Sequence, residues 1–108
     1  GAPTPDAQYG RFLALGCTGC HGHQLSGGPI PGAPSHFPSP SNLTPHDTGL
    51  KGWSFADFER LLDTGIRKNG TRLDPFMPLA ALTKLDAVER QALWSYLTSL
   101  EPRPFGER

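Results

Sequence analysis

Two cysteines and the histidine that follows them are the residues whose spacing is most informative about chemistry. Cys17, Cys20 and His21 form a Cys-x-x-Cys-His pattern. With this spacing, two thiols can add to the two vinyl groups along one edge of a porphyrin, and the adjoining imidazole can reach the iron. A disulfide between the cysteines would contribute little, because its entropic gain grows with the length of the loop it closes. The pattern therefore predicts one covalently attached c-type haem with His21 as an axial ligand.

Two other uses of paired cysteines are less well supported. A zinc site needs a second pair of ligands, and the remaining histidines, His23, His36 and His46, lack the usual spacing for one. A redox dithiol of the thioredoxin type needs a preceding β-strand, which the sequence does not predict.

The single methionine is the expected second axial ligand. The alternative is that a lone methionine only fills a gap in a core, but Met77 lies in an irregular segment between Pro75 and Pro78 rather than on a helix face. The prolines limit the entropy lost on binding iron. Ligation by His21 and Met77 would raise the reduction potential relative to more basic ligand pairs. His36 or His46 is the alternative ligand, whereas His23 is too close to His21 to reach the opposite face.

The composition predicts one small domain that needs a cofactor to complete its core. The chain has 108 residues, of which 13 are Gly and 12 are Pro, and only 36% are hydrophobic. We expect a single, monomeric domain over residues 1–108, with residues 1–5 a tag scar or a linker remnant. The formal net charge of zero argues against nucleic acid as a partner. No secretion signal or membrane-spanning run is recognisable, so we expect a mature or trimmed sequence.

Three helices are predicted, over residues 5–15, 54–64 and 84–100. Thr4 is the expected N-cap of the first, Pro5 its first residue, and Gly16 its end. The expected buried side chains are Phe12, Leu13 and Leu15 in the first helix; Phe55, Phe58, Leu61 and Leu62 in the second; and Leu85, Val88, Leu93, Tyr96, Leu97 and Leu100 in the third.

Capping patterns support the second and third helices. Ser54 with Asp57, and Thr83 with Asp86, have the spacing of capping boxes. Gly65 suits the left-handed position that follows a helix. The proline-rich segment 22–53 is expected to be a long loop. The sequence has no stretch of alternating apolar and polar residues, so little or no sheet is predicted. The fold class is therefore all-α.

The order of these features resembles that of class I cytochromes c. Segments 41–45 (Ser-Asn-Leu-Thr-Pro) and 48–58 (Thr-Gly-Leu-Lys-Gly-Trp-Ser-Phe-Ala-Asp-Phe) are similar to the cytochrome domains that accept electrons from bacterial periplasmic dehydrogenases. The resemblance implies a small cytochrome c fold, with about three main helices and long loops around one haem c. Those relatives often carry several haem motifs, whereas this chain has one. They also usually lack the insertion that this chain has at His46. The resemblance therefore does not identify the redox partner.

The resemblance also implies supporting residues. A carbonyl in the proline-rich loop, at Pro29 or in the segment 40–42 that includes Asn42, should accept a hydrogen bond from His21. Trp53 should lie near a haem propionate, or else be simply a buried aromatic. Tyr96 or Trp94 should pack against Gly10 and Phe12, where terminal helices cross.

Basic residues precede the Met77 segment. Arg67, Lys68 and Arg72 could pair with propionates or dock an acidic partner, and the alternative is an ordinary solvated loop.

The sequence thus predicts a periplasmic, or otherwise extracytoplasmic, one-electron carrier that is not itself an enzyme. Its partners would be a periplasmic dehydrogenase or a terminal oxidase or reductase. Two alternatives remain. One is a haem domain whose sixth ligand is labile, for small-molecule binding, sensing or peroxidase-like chemistry. The other is an electron-relay domain of a larger dehydrogenase or reductase.

Overall fold

Helices joined by long loops make up the computed structural model, which describes residues 5–34, 36–75, 77 and 79–108. Over those residues the helices are α1 (Ala7–Ala14), a 3₁₀ turn (Leu15–Cys17), α2 (Thr18–His21), α3 (Phe55–Thr64), α4 (Leu79–Thr83) and α5 (Ala87–Ser99). The β pairing found in the same residues is one isolated bridge between Ile66 and Arg72. The predicted all-α class is confirmed.

The first helix begins later than predicted. Asp6 is its N-cap, and its Oδ1 accepts a hydrogen bond of 2.9 Å from the Tyr9 amide. Pro5 precedes the cap, so its expected place in the first turn is wrong. Thr4 lies outside the described residues. The prediction overlooked that Asp is as good a cap as Thr.

Gly16 does not end this helical segment. The backbone continues through the 3₁₀ turn into α2, and Thr18 Oγ1 donates to the Leu15 carbonyl at 2.9 Å. The segment ends at Gly22, whose φ of 87° is readily adopted by glycine. As a result, Cys17, Cys20 and His21 lie on a continuous helical stretch that starts at α1.

Helices α1 and α5 cross at a point of very close approach. A Cβ added to Gly10 would lie 1.9 Å from the Ala92 carbonyl oxygen and 2.7 Å from Tyr96 Cβ. The expected contact between Tyr96 and Gly10 is confirmed. Trp94, the other candidate, instead contacts Phe58, with ring centroids 5.1 Å apart.

The buried face of α1 consists of small residues. Gly10 and Ala14 are buried, whereas Phe12 is 66% exposed and Leu15 is 62% exposed. The prediction that Phe12 and Leu15 form the buried side is therefore wrong. The close crossing selects small side chains and turns the larger ones outward. Phe12 stacks on Tyr9, with ring centroids 6.1 Å apart.

The second predicted helix is confirmed as α3. The Ser54 and Asp57 side chains each accept from the other residue's amide, at 3.1 Å and 2.8 Å, which completes the capping box. Gly65 follows with a φ of 73°.

The third predicted helix is shorter than expected. The predicted capping box of Thr83 with Asp86 is wrong, since the Thr83 hydroxyl instead donates to the Leu62 carbonyl at 2.8 Å. The capping box at the start of α5 is formed by Asp86 and Glu89. Residues 79–83 form the separate helix α4, which the sequence did not indicate. Val88, expected in the buried stripe, is 37% exposed.

Arg90 ties α5 to α3. Its guanidinium donates to Asp63 Oδ1 at 2.7 Å and lies 3.7 Å from Glu59 Oε2. It also donates to the carbonyls of Thr83 and Leu85, which hold the turn between α4 and α5. The buried core lies under these helices and includes Ala14, Leu25, Leu50, Phe58, Leu62, Leu93 and Leu97. Among the described residues, every helix is too short or too polar to traverse a bilayer.

Candidate haem site

A partly open cavity of about 680 Å³ is lined by α2, α3, α5 and the loops between them. Its walls are mostly apolar, which suits a large flat ligand that must be shielded from water. The structure brings Cys17, Cys20, His21 and Met77 together around this one cavity. Residues far apart in sequence therefore meet where the attachment motif predicts a cofactor.

His21 is held in one tautomer. Its ring is only 4% exposed, and Nδ1 lies 2.7 Å from the Ser41 carbonyl oxygen. Because a carbonyl can only accept a hydrogen bond, Nδ1 must carry the proton. The neutral ring then has its lone pair on Nε2. That atom is buried and has no hydrogen-bond partner among the described residues.

The unpartnered Nε2 atom of His21 is suited to bind iron. A buried nitrogen lone pair without a donor is unfavourable unless something else binds it, and His21 lines the cavity. Burial lowers the pKa of His21, and the hydrogen bond to Ser41 only partly opposes this. The imidazole is thus kept neutral, which is the form that binds metal. These residues fit a haem group.

Ser41 provides the acceptor that the resemblance implied for segment 40–42. Pro29, the other candidate, is exposed and does not line the cavity, so that assignment is wrong. Asn42 is also on the cavity wall, and its side chain is fully engaged with neighbouring loop residues.

Both cysteines lie on the cavity wall, and they are not joined in a disulfide. Cys17 ends the 3₁₀ turn and Cys20 lies three residues later in α2, a spacing that places both on one helical face. Cys17 is half-buried and Cys20 is exposed. Burial raises the pKa of the Cys17 thiol, and the neighbouring Cys20 raises it further.

Met77 is half-buried on the same wall, and its amide donates to the Asp74 carbonyl at 2.9 Å. Its neighbours at positions 76 and 78 lie outside the described residues. His36 and His46, the alternative ligands, do not line the cavity. His46 Nδ1 is instead 2.9 Å from the Thr48 hydroxyl.

The predicted basic cluster is divided by the structure. Arg67 and Lys68 line the cavity, whereas Arg72 does not. Arg67 donates to the Arg72 carbonyl at 2.6 Å, so Arg72 contributes its backbone to this loop. Lys68 donates to the Gly52 carbonyl and lies 3.7 Å from Asp57 Oδ2.

Trp53 is half-buried on the cavity wall, and its expected place near a haem propionate stays a prediction. Its amide donates to the Leu50 carbonyl at 3.0 Å, which fixes the turn that leads into α3. Sequence reasoning missed Leu50 and Leu73, two further wall residues that lie in loops outside any helical pattern. The only sequence feature that could have indicated these two wall residues is a leucine standing alone in an irregular segment.

No three His, Cys, Asp or Glu side chains of the described residues are grouped closely enough to hold a metal ion. The zinc alternative therefore gains no support from that part of the chain.

Comparison with known proteins agrees with this geometry. The Cytochrome c family model matches residues 8–101. The cytochrome c subunit of a quinone alcohol dehydrogenase from Gluconacetobacter polyoxogenes is 36% identical over 107 residues, covering 88% of this chain and 23% of that subunit. The fructose dehydrogenase cytochrome subunit of Gluconobacter japonicus is 31% identical, covering 94% of this chain and 23% of that subunit.

A third relative is the gluconate 2-dehydrogenase cytochrome c subunit of Pantoea cypripedii, which is 31% identical over 81% of this chain and 21% of its own length. The chain thus spans less than a quarter of each of these three relatives. The match over most of its length, together with the cavity around His21, shows that the chain is an electron-transfer domain of the cytochrome c family, which binds haem c.

Proposed function

We propose that this domain carries single electrons through one haem that is bonded to the Cys17 and Cys20 sulfurs and ligated by His21 and Met77. The observation that carries the proposal is the buried, unpartnered Nε2 of His21 on a cavity that all four side chains line. When bound, the haem iron supplies a one-electron couple whose potential depends on its axial ligands and on burial.

The protein's own part is to hold its ligands still. The hydrogen bond from His21 Nδ1 to Ser41 fixes the ring plane and raises the basicity of Nε2. The thioether of Met77 is a soft ligand that favours the reduced metal. If His21 and Met77 both hold the iron, the haem would serve one-electron transfer and would not bind a substrate. For this reason we propose a carrier rather than an enzyme.

The relatives suggest the redox partner. Three are named as cytochrome subunits of alcohol, fructose and gluconate dehydrogenases, so we propose that a dehydrogenase outside the cytoplasm donates the electrons. A terminal oxidase or reductase is the alternative partner, as acceptor. Since the relatives are at least four times longer than the matched region, a relay domain within a larger chain or complex fits this proposal equally well.

An exposed apolar surface adjoins the attachment motif. Phe12 and Leu15 are both largely exposed, and Leu15 lies in the same 3₁₀ turn as Cys17. Exposed aromatic and aliphatic side chains commonly anchor protein contacts. We propose that the dehydrogenase approaches here, next to the turn that carries Cys17.

Replacement of Met77 tests the ligand assignment. In Met77→Ala, the weak far-red absorption band of an iron–thioether bond should disappear and the reduction potential should fall, while the haem stays attached. His36→Ala and His46→Ala are the matched controls, and both should keep the band because neither side chain lines the cavity. Retention of the band in Met77→Ala, or its loss in either control, would refute the assignment.

A further inference from the structure

The segment after α5 folds back onto the loops that position His21. Residues 102–108, which we call the C-terminal strap, lie beyond the region matched by the family model. The strap forms no helix or strand, yet it makes hydrogen bonds with residues about 60 to 80 positions earlier in the chain.

One end of the strap is bound by a buried polar cluster. Thr44 is fully buried, and its hydroxyl accepts from the Arg103 amide at 3.1 Å. Asn42, which is 2% exposed, donates from Nδ2 to the Arg103 carbonyl at 2.7 Å. Thr44 Oγ1 also lies 2.8 Å from Asn42 Oδ1 and 3.2 Å from the Arg103 carbonyl oxygen. The single hydroxyl proton of Thr44 is best donated to the nearer acceptor, Asn42 Oδ1. Together these bonds link Asn42, Thr44 and Arg103.

The other end of the strap packs on residues 24–28. The Arg108 guanidinium donates to the Gly28 carbonyl at 2.9 Å, and the Gly106 amide donates to the Ser26 carbonyl at 3.3 Å. The Gln24 amide donates to the Arg108 carbonyl at 3.3 Å. A Cβ on Gly28 would lie 2.6 Å from Gly106 Cα, so the two backbones are in direct contact.

The carbonyl that binds His21 lies between these two anchor points. Ser41 adjoins Asn42 in sequence, and a Cβ on Gly27 would lie 2.5 Å from the Ser41 carbonyl oxygen. The Gly28 amide donates to the Pro40 carbonyl at 3.0 Å, and the Leu43 amide donates to Leu25 at 2.8 Å. These bonds join the loop of Ser41 to residues 25–28, and the strap is hydrogen-bonded to both segments.

We propose that the C-terminal strap is a positioning element that holds the Ser41 carbonyl against His21 and thereby sets the reduction potential of the haem. This inference rests on the proposed ligation by His21. A firm hydrogen bond at Nδ1 makes the imidazole a stronger donor, which favours oxidised iron and lowers the potential. Loosening the strap should therefore raise the potential.

Thr44→Val is the main test, because it removes one hydroxyl and preserves the shape of the side chain. With haem bound, its midpoint potential should be higher than that of the wild type. Exchange of the His21 Nδ1 proton with solvent, followed by NMR, should be about tenfold faster because the hydrogen bond opens more often. Thr44→Ser restores the hydroxyl and should return both values to those of the wild type. Thr98→Val, at an exposed threonine that bonds within α5, should change neither.

A pair of glycine variants tests the strap from its other end. Gly28 and Gly32 both have positive φ, at 99° and 82°, so alanine strains the backbone at each. Only at position 28 would the added Cβ strike the strap, since nothing lies within 4 Å at position 32. Gly28→Ala should raise the potential more than Gly32→Ala does, and this pair decides the question if Thr44→Val does not fold.

Unchanged potential and proton exchange in a folded Thr44→Val protein, even one that unfolds more readily, would overturn the proposal and leave the strap a purely structural element. Equal shifts in the two glycine variants would also overturn it. Failure of His21 ligation itself is distinguishable, since the wild-type protein would then lack the paramagnetically shifted NMR signals of an iron-bound imidazole.

Discussion

Substitution of Gly10 by alanine should destabilise the protein although alanine is the better helix former. The added Cβ would lie 1.9 Å from the Ala92 carbonyl oxygen, so α1 and α5 would have to separate by more than an ångström. Alanine in a helix gains about 1 kcal/mol over glycine, whereas overpacking of this kind typically costs about 1–3 kcal/mol and sometimes more. Because the clash is with backbone, which cannot rotate away, we expect an overpacking cost at the upper end of that range, about 3 kcal/mol, and therefore a net loss of about 2 kcal/mol.

The matched control is Gly16→Ala, at another helical glycine of the same segment. Nothing lies within 4 Å of a Cβ at that position, so this variant should be more stable than the wild type by roughly 0.5–1 kcal/mol. Thermal unfolding of the haem-loaded proteins, followed by circular dichroism, should show the melting temperature of Gly10→Ala lowered by roughly 10 °C. A Gly10→Ala protein as stable as Gly16→Ala would refute the close crossing of α1 and α5.

Two further predictions concern acid stability and docking. The hydrogen bond from Arg90 lowers the pKa of Asp63 below its usual 3.8, so this pair stabilises the fold above that pH and loses its effect as the pH falls through the lowered value. Urea midpoints should therefore be higher for wild type than for Asp63→Asn at about pH 6, and this difference should shrink as the pH falls below 3.8; a difference that stays constant in acid would contradict this. Phe12→Ser with Leu15→Ser should slow electron transfer from a dehydrogenase roughly fivefold at unchanged potential, measured by stopped-flow, and an unchanged rate would exclude this surface as the docking site.

Local patterns predicted the parts of the fold that local interactions determine. The Ser54–Asp57 capping box and the left-handed Gly65 are set by residues a few positions apart, and both are confirmed. The α1 boundary was missed because Asp6 and Thr4 are similar caps, and only the structure shows which is used. The outward position of Phe12 was missed because the crossing with α5 overrides the hydrophobic pattern.

In the candidate site, too, the local sequence predicted some residues, whereas others depend on long-range contacts. The motif itself gave Cys17, Cys20 and His21, and the structure brings them to one cavity with Met77. Arg72 was grouped with Arg67 and Lys68 by sequence proximity, but the loop turns between them, so that Arg67 and Lys68 reach the cavity and Arg72 does not. Contacts such as that between Thr44 and Arg103 could not be predicted, because nothing local records a pairing of residues so far apart in sequence.

Covalent attachment through Cys17 and Cys20 can be tested by following the pigment after denaturation. When the purified, matured protein is extracted with acidified organic solvent, we expect the red pigment to stay with the polypeptide and the intact mass to exceed that of the chain by one haem. In Cys17→Ser with Cys20→Ser, the same treatment should release any pigment present. A wild-type protein that loses its colour to the solvent, or that shows no haem absorption at all, would contradict the assignment of these two cysteines.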